Sequence, residues 1–322
     1  MCHECLATEY CTRRFTISYF EPQLSCCDNH NNQLVETSST PSILHFQTVL
    51  QQAAFNNNIT LVLQIVKRAR HLPKFNINHQ TSTGGSALIF ACQHGFQLVV
   101  QILLRTPKID VNQPLNNGRT PLFMACQMGY LECVQHLVAF PGIDLNKAKD
   151  TGETPLLMAC QEGYLSTIRF LLLQDGIKLD CTTIKGRSAL HIACFKGRLL
   201  VVQTLLASDS VDENIINLGK SNGKTPLFIA IQKRHPEVVR VLLNDNRIQV
   251  NLHDNRGATP LWIASKLGEL KSVEMLLKVE GIHTHKKALG MTALEVAKNE
   301  KHSKVVALLQ KFLHVDIKQR NK

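Results

Sequence analysis

Four cysteines stand in closely matched surroundings: Ala-Cys-Gln at Cys92, Cys126 and Cys160, and Ala-Cys-Phe at Cys194. A cysteine nucleophile needs a base and an orienting group brought to it by the fold. Four equivalent thiols spaced evenly by 34 residues cannot each have that surrounding, so the expected role is that of a small buried side chain. The segment Gly219-Lys-Ser-Asn-Gly223-Lys224-Thr225 has the outline of a phosphate-binding loop. That loop requires four residues between its glycines so that successive amides surround the phosphates, and only Lys220, Ser221 and Asn222 intervene here. Cys2-His3-Glu4-Cys5 is half of a zinc site, with Cys11, Cys26, Cys27 and His30 downstream. Adjacent Cys26 and Cys27 cannot chelate with the usual geometry, so reduced thiols are expected. His283 and His285 lie beside Lys286 and Lys287 and read as solvated. No His-Glu-x-x-His or Gly-x-Ser-x-Gly motif is present. No catalytic residue, cofactor or metal ligand is assigned, and the expectation is a protein that is not an enzyme.

The elements holding these residues repeat. Gly118-Arg-Thr-Pro-Leu-Phe-Met-Ala-Cys-Gln-Met-Gly129 returns from Gly85, Gly152, Gly186, Gly223, Gly257 and Gly290, at separations of 33, 34, 34, 37, 34 and 33 residues. A fixed period is the signature of a stacked array rather than of separate cores. Within one unit Gly118 permits a turn with positive φ, Thr120 caps a helix, and Pro121 occupies its first position, where no backbone donor is lost. Leu122, Ala125 and Cys126 fall on one helical stripe, Gly129 stops that helix, and Val134, Leu137 and Val138 repeat the spacing in a second. Neither stripe is buried by one unit alone, so neighbours must stack.

Thr-Pro-Leu-x-x-Ala, the glycine that follows, an apolar second helix and fingers such as Ile109-Asp110-Val111-Asn112 together resemble the ankyrin repeat, over about residues 45 to 312. The resemblance implies an all-α fold: an ankyrin-repeat α-solenoid of about eight units with degenerate terminal caps. The family's histidine after Thr-Pro-Leu survives only as His191, the equivalent places being Ile89, Phe123, Leu157, Phe228, Trp262 and Glu295. The insertion Ser210–Asn217 lengthens one unit to 37 residues and is expected to project from the stack. The finger asparagines Asn112, Asn146 and Asn251 resemble positions hydroxylated in some family members.

Domain organisation follows the same pattern: a cysteine-containing flexible leader over 1–40, the repeat domain over 41–314, and a basic tail over 315–322. Asn57 stands where a helix-ending glycine belongs in the first, weaker unit, as in a terminal cap. The net charge is +11; the leader has five acids against Arg13 and Arg14, a net of −3, which leaves +14 for the rest. No apolar run reaches the length needed to span a membrane, and Glu4 and Glu9 break the order of a secretory signal. A soluble, monomeric, cytoplasmic protein is expected, with the nucleus or delivery into another cell left open.

The positions that packing leaves free should carry function. By resemblance, residues beside each leading glycine and the two before each helix-ending glycine line one concave partner-binding face: Arg119, Gln127 and Met128; Glu153, Gln161 and Glu162; Arg187, Phe195 and Lys196; Lys224, Gln232 and Lys233; Arg256, Lys266 and Leu267. Lys147, Lys149, Lys185, Lys220, Lys286 and Lys287 add positive charge at the finger tips. Positive tips around apolar residues suit a protein partner with acidic segments and some hydrophobic surface. Nucleic acid is disfavoured, because Phe195 and Trp262 form no stacking row. The expectation is a non-catalytic protein-protein interaction module or scaffold. The alternatives are a secreted effector or targeting adaptor using the same face, and an enzyme with its site in the leader or the long loop.

Overall fold

The computed structural model describes residues 43–208 and 211–320, with side chains as far as residue 314. The leader and its candidate zinc ligands lie outside the described residues. Among the described residues the helices are α1 (Ile43–Phe55), α2 (Ile59–Ala69), α3 (Ala87–His94), α4 (Gln97–Leu104), α5 (Pro121–Met128), α6 (Leu131–Val138), α7 (Pro155–Glu162), α8 (Leu165–Leu172), α9 (Ala189–Lys196), α10 (Leu199–Leu206), α11 (Glu213–Asn217), α12 (Pro226–Gln232), α13 (Pro236–Leu243), α14 (Pro260–Leu267), α15 (Leu270–Leu276), α16 (Ala293–Asn299) and α17 (Ser303–Arg320). Apart from α11 they form eight pairs, each joined by two or three residues. The only β pairing among the described residues is an isolated bridge between Ala288 and Met291. Among these helices none is long and apolar enough to cross a membrane.

The first helices touch in the series α1, α3, α5, α7, α9, α12, α14, α16, and the second helices in the series α2, α4, α6, α8, α10, α13, α15, α17. Two layers result, with one continuous core between them. Local chemistry sets each start: Thr120, Thr154, Thr225 and Thr259 accept the third helical N–H with the side-chain hydroxyl, and proline follows each of them. Ser86, Ser188 and Thr292 cap in the same way. Asn57 adopts φ 54° at its helix end, as glycine would.

Three expectations need correction. The stripe on α5 is too narrow: every residue from Pro121 to Cys126 is buried, because α5 is enclosed by α3, α7 and α6. On α6 the buried residues are Cys133, Val134 and Leu137, with Val138 only half-buried. The tip glycine of the earliest full unit is Gly84, with φ 83°, and not Gly85, which occupies the place of Arg119; the first period is therefore 34. Residues 211–217 of the insertion pack down instead of projecting. Asp212 caps α11, Val211 and Ile216 are buried, and Asn217 bonds Arg247 O and the Gln249 N–H. Helical backbone also continues through α17 to Arg320, since neither glycine nor proline follows Ser303.

The repeated cysteines Cys92, Cys126, Cys160 and Cys194 are completely buried. Burial pushes the Cys160 thiol up to about 12 and raises the other three as well. A thiol held protonated is a poor nucleophile.

Candidate partner-binding face

The fingers between units are tied edge to edge. Asp150 donates its N–H to Asn117 O, Ile184 to Thr151 O, Ser221 to Lys185 O and Asn255 to Asn222 O, at 3.1–3.3 Å. Such close passage requires glycine at the tip: Gly118 has φ 81°, and a Cβ there would stand 2.8 Å from Lys149 Cα. A second ladder runs through asparagine side chains. Asn112 donates to Gly142 O and accepts from the Asp144 N–H, and Asn78, Asn146, Asn217 and Asn251 repeat the pair. Asp180 interrupts the asparagines just before the insertion. The amides of Asn112, Asn146 and Asn251 are thus structural cross-links.

On this frame the predicted residues fall into three groups. Around Gly118 and Gly152 charges of both signs are present and some of them pair. Lys149 pairs with Glu153 at 3.5 Å, and Gln161 donates to Glu162 at 2.9 Å. The Arg119 guanidinium and Lys149 Nζ both lie 5.9 Å from the centre of the Phe123 ring. Arg119 Nε and Gln127 Oε1 are enclosed without a hydrogen-bond partner among the described residues, and Met128 is 41% exposed.

Around Gly186 and Gly223 the same positions converge. Arg187, Phe195, Lys224, Gln232 and Lys233 line one cavity of about 190 Å³, and Lys220 joins them. Lys233 Nζ is 4.3 Å and the Arg187 guanidinium 5.4 Å from the centre of the Phe195 ring, while Lys224 Nζ is 5.0 Å from that of Phe228. Lys224 also donates to Gln232 Oε1 at 3.1 Å. His191 forms part of the wall: Lys224 O lies 3.0 Å from its Nε2, which must therefore donate, and Nδ1 faces the Ser188 hydroxyl at 2.8 Å. Burial pushes His191 down to about 4, so the ring is neutral near pH 7. Lys196 is exposed but does not line the cavity.

The third group is dispersed. Lys266 Nζ sits 5.4 Å from the centre of the Trp262 ring, whose buried indole donates to Met291 O. Leu267 packs against the core. Arg256 precedes its tip glycine, and the residue in register with Arg119 and Arg187 is the buried Ala258. Arg256 is accordingly an exposed tip residue, its N–H bonded to Asp254 Oδ1.

Lys220 was visible in the sequence only as a tip lysine. Its register, three residues before the tip glycine and level with Lys149, is what turns it toward this face. The phosphate-loop outline around it is resolved in the same way. The Gly223 N–H bonds Lys220 O, that of Lys220 bonds Lys224 O, and that of Ser221 bonds Lys185 O. The turn already uses those amides, so they cannot surround a phosphate.

Comparison with known proteins agrees with this architecture. The family model described as "Ankyrin repeats (3 copies)" matches residues 50–149, 139–217, 173–254 and 207–288. Human Rabankyrin-5 is 32% identical over 65 residues, covering 20% of this chain and 6% of that protein. Human ankyrin repeat domain-containing protein 63 is 37% identical over 76 residues, covering 22% of this chain and 20% of its own length. The matched stretches thus span a small part of each relative. Among solved structures, the ankyrin repeat domain of Bcl-3 superposes with a TM-score of 0.63 at 23% identity, over 70% of this chain and 96% of that one. With the family model matching most of the length and the paired helices and fingers in place, the chain belongs to the ankyrin repeat family, a fold of protein-protein interaction.

Proposed function

We propose that the face built from the finger tips and the ends of the first helices binds a protein partner presenting acidic segments and a few hydrophobic side chains, with no chemistry of its own. One observation carries this: Arg187, Lys220, Lys224 and Lys233 gather around a single cavity, and none is in an ion pair among the described residues. An unneutralised cluster on a rigid surface steers an acidic partner and fixes its register. Met128, 41% exposed on the same set of positions, gives such a partner an apolar contact. Affinity capture from the native cell extract, comparing the natural chain with one carrying Arg187, Lys196, Lys224 and Lys233 all changed to Glu, tests the assignment. The natural chain should retain a partner that the reversed chain loses, with unchanged helical circular dichroism. Equal capture by both would sink it.

A further inference from the structure

The cavity between the fingers of Gly186 and Gly223 is short of negative charge by more than one unit. Its lining includes Arg187, Lys220, Lys224 and Lys233 but neither aspartate nor glutamate. Aromatic faces partly compensate Arg187, Lys224 and Lys233. Lys220 has no ring contact among the described residues. Burial, together with the charges of Arg187, Lys224 and Lys185, pushes its pKa down.

We propose that this cavity takes a phosphomonoester dianion, carried on a phosphorylated serine or threonine of the partner segment that crosses the face. The assignment rests on the acidic-partner function above and narrows it to one chemical group. A carboxylate neutralises a single cation, whereas a phosphorylated side chain brings a charge of roughly −1.5 to −2 and three acceptor oxygens. Four cations around one hole outnumber either group, and the phosphate offsets about twice as much of their charge as a carboxylate does. The planar fork of Arg187 can hold two phosphate oxygens at once, and the lysines serve as point charges around the third. A volume of about 190 Å³ accommodates the group together with the carbon that bears it.

The same residues disfavour a nucleotide as the phosphate carrier. Arg187 and Lys233 already lie against the Phe195 ring, which leaves it poorly placed to stack a nucleobase. His191 and Ile229 complete the wall. Lys220 and Lys224 belong to the segment that outlines a phosphate loop, but they act through side chains, the amides being held in the turn.

The test uses the full chain and three peptide pools, acidic at randomised flanking positions, with phosphoserine, serine or aspartate fixed at the centre. A pool with basic flanks serves as the reference. Retention of the phosphoserine pool should exceed that of the serine pool by about tenfold, with aspartate closer to serine. The double variant Lys220→Met/Lys224→Gln should bring that preference to within about twofold, while Lys298→Gln/Lys304→Gln, which removes equal charge elsewhere, should leave it intact. Equal retention of the phosphoserine and serine pools overturns the phosphate assignment; if both still exceed the basic pool, the acidic-partner function survives it. A phosphoserine preference untouched by the double variant also overturns it. So does stronger Lys220-dependent binding of oligothymidine, or of phosphoinositide vesicles, than of the phosphoserine pool.

Discussion

The units led by Gly118 and Gly152 repeat the finger and helix pair of those led by Gly186 and Gly223, yet their faces differ in electrostatics. In the earlier pair Glu153 neutralises Lys149 and Gln161 donates to Glu162. In the later pair the corresponding positions hold Arg187, Lys196, Lys224 and Lys233, with no carboxylate among them. The repeat therefore fixes where a side chain stands and leaves free what it does. Binding capacity should be concentrated in the later pair because four cations meet there with no carboxylate beside them.

The largest expected effect breaks that difference directly. Changing Arg187, Lys196, Lys224 and Lys233 to Glu should weaken partner binding by about a hundredfold or more, measured by surface plasmon resonance against the captured partner. Changing Arg119 to Glu in the earlier pair should weaken it by only about threefold or less. Comparable losses would show that the whole face binds uniformly. Core substitutions should show no such asymmetry. Leu171→Ala and Leu205→Ala, at side chains no more than 2% exposed, should each lower stability in urea by about 2–5 kcal/mol.

Acid should separate the pairs again. His191 is held down to about 4 in the folded chain, below its unfolded value near 6.5. The unfolded state therefore binds the proton first, and stability present above about pH 6.5 is lost as pH falls toward 4, by up to about 3 kcal/mol. Leu157 holds the same position in the earlier unit, so His191→Leu should flatten this part of the urea-midpoint profile between those pH values. An unchanged slope would place the acid sensitivity elsewhere.

The smallest effects concern the helix ends. Gly163 has φ 90°, and a Cβ there would stand 3.1 Å from Arg198 Nε; Gly163→Ala should destabilise by about 1–2 kcal/mol. In the later unit Arg234 takes the left-handed position with φ 60° and pairs with Glu269 at 3.0 Å. Arg234→Gly relieves the backbone and loses a solvent-screened ion pair, so its thermal midpoint should correspond to a net change within about 1 kcal/mol.

Much of this was legible in the chain because a repeat states its local rules many times over. Thr120, Pro121 and Gly129 announce a helix start and stop through cap, φ and donor chemistry that depend only on neighbours in sequence. Arg187, Phe195, Lys224, Gln232 and Lys233 could be placed on one face by counting from the glycines. The register shifts at Gly84 and at Arg256, and Leu267 is drawn into the core by its neighbours, so spacing along the chain does not place these three. The insertion read as a projecting loop because the buried places for Val211 and Ile216 exist only once α10 and the next finger are present.

The sequence by itself determined the period, the caps, the buried cysteines and the sign of the surface charge, since each follows from residue type and spacing along one chain. Only the tertiary structure decided which cations share a cavity, which are neutralised, and that the apparent phosphate loop spends its amides on a turn. The cavity joins Arg187 to Lys220, Lys224 and Lys233, more than thirty positions away, through the way one unit lies on the next, while the Lys149–Glu153 pair and the Lys220–Gly223 turn are local contacts whose geometry residue types alone leave open.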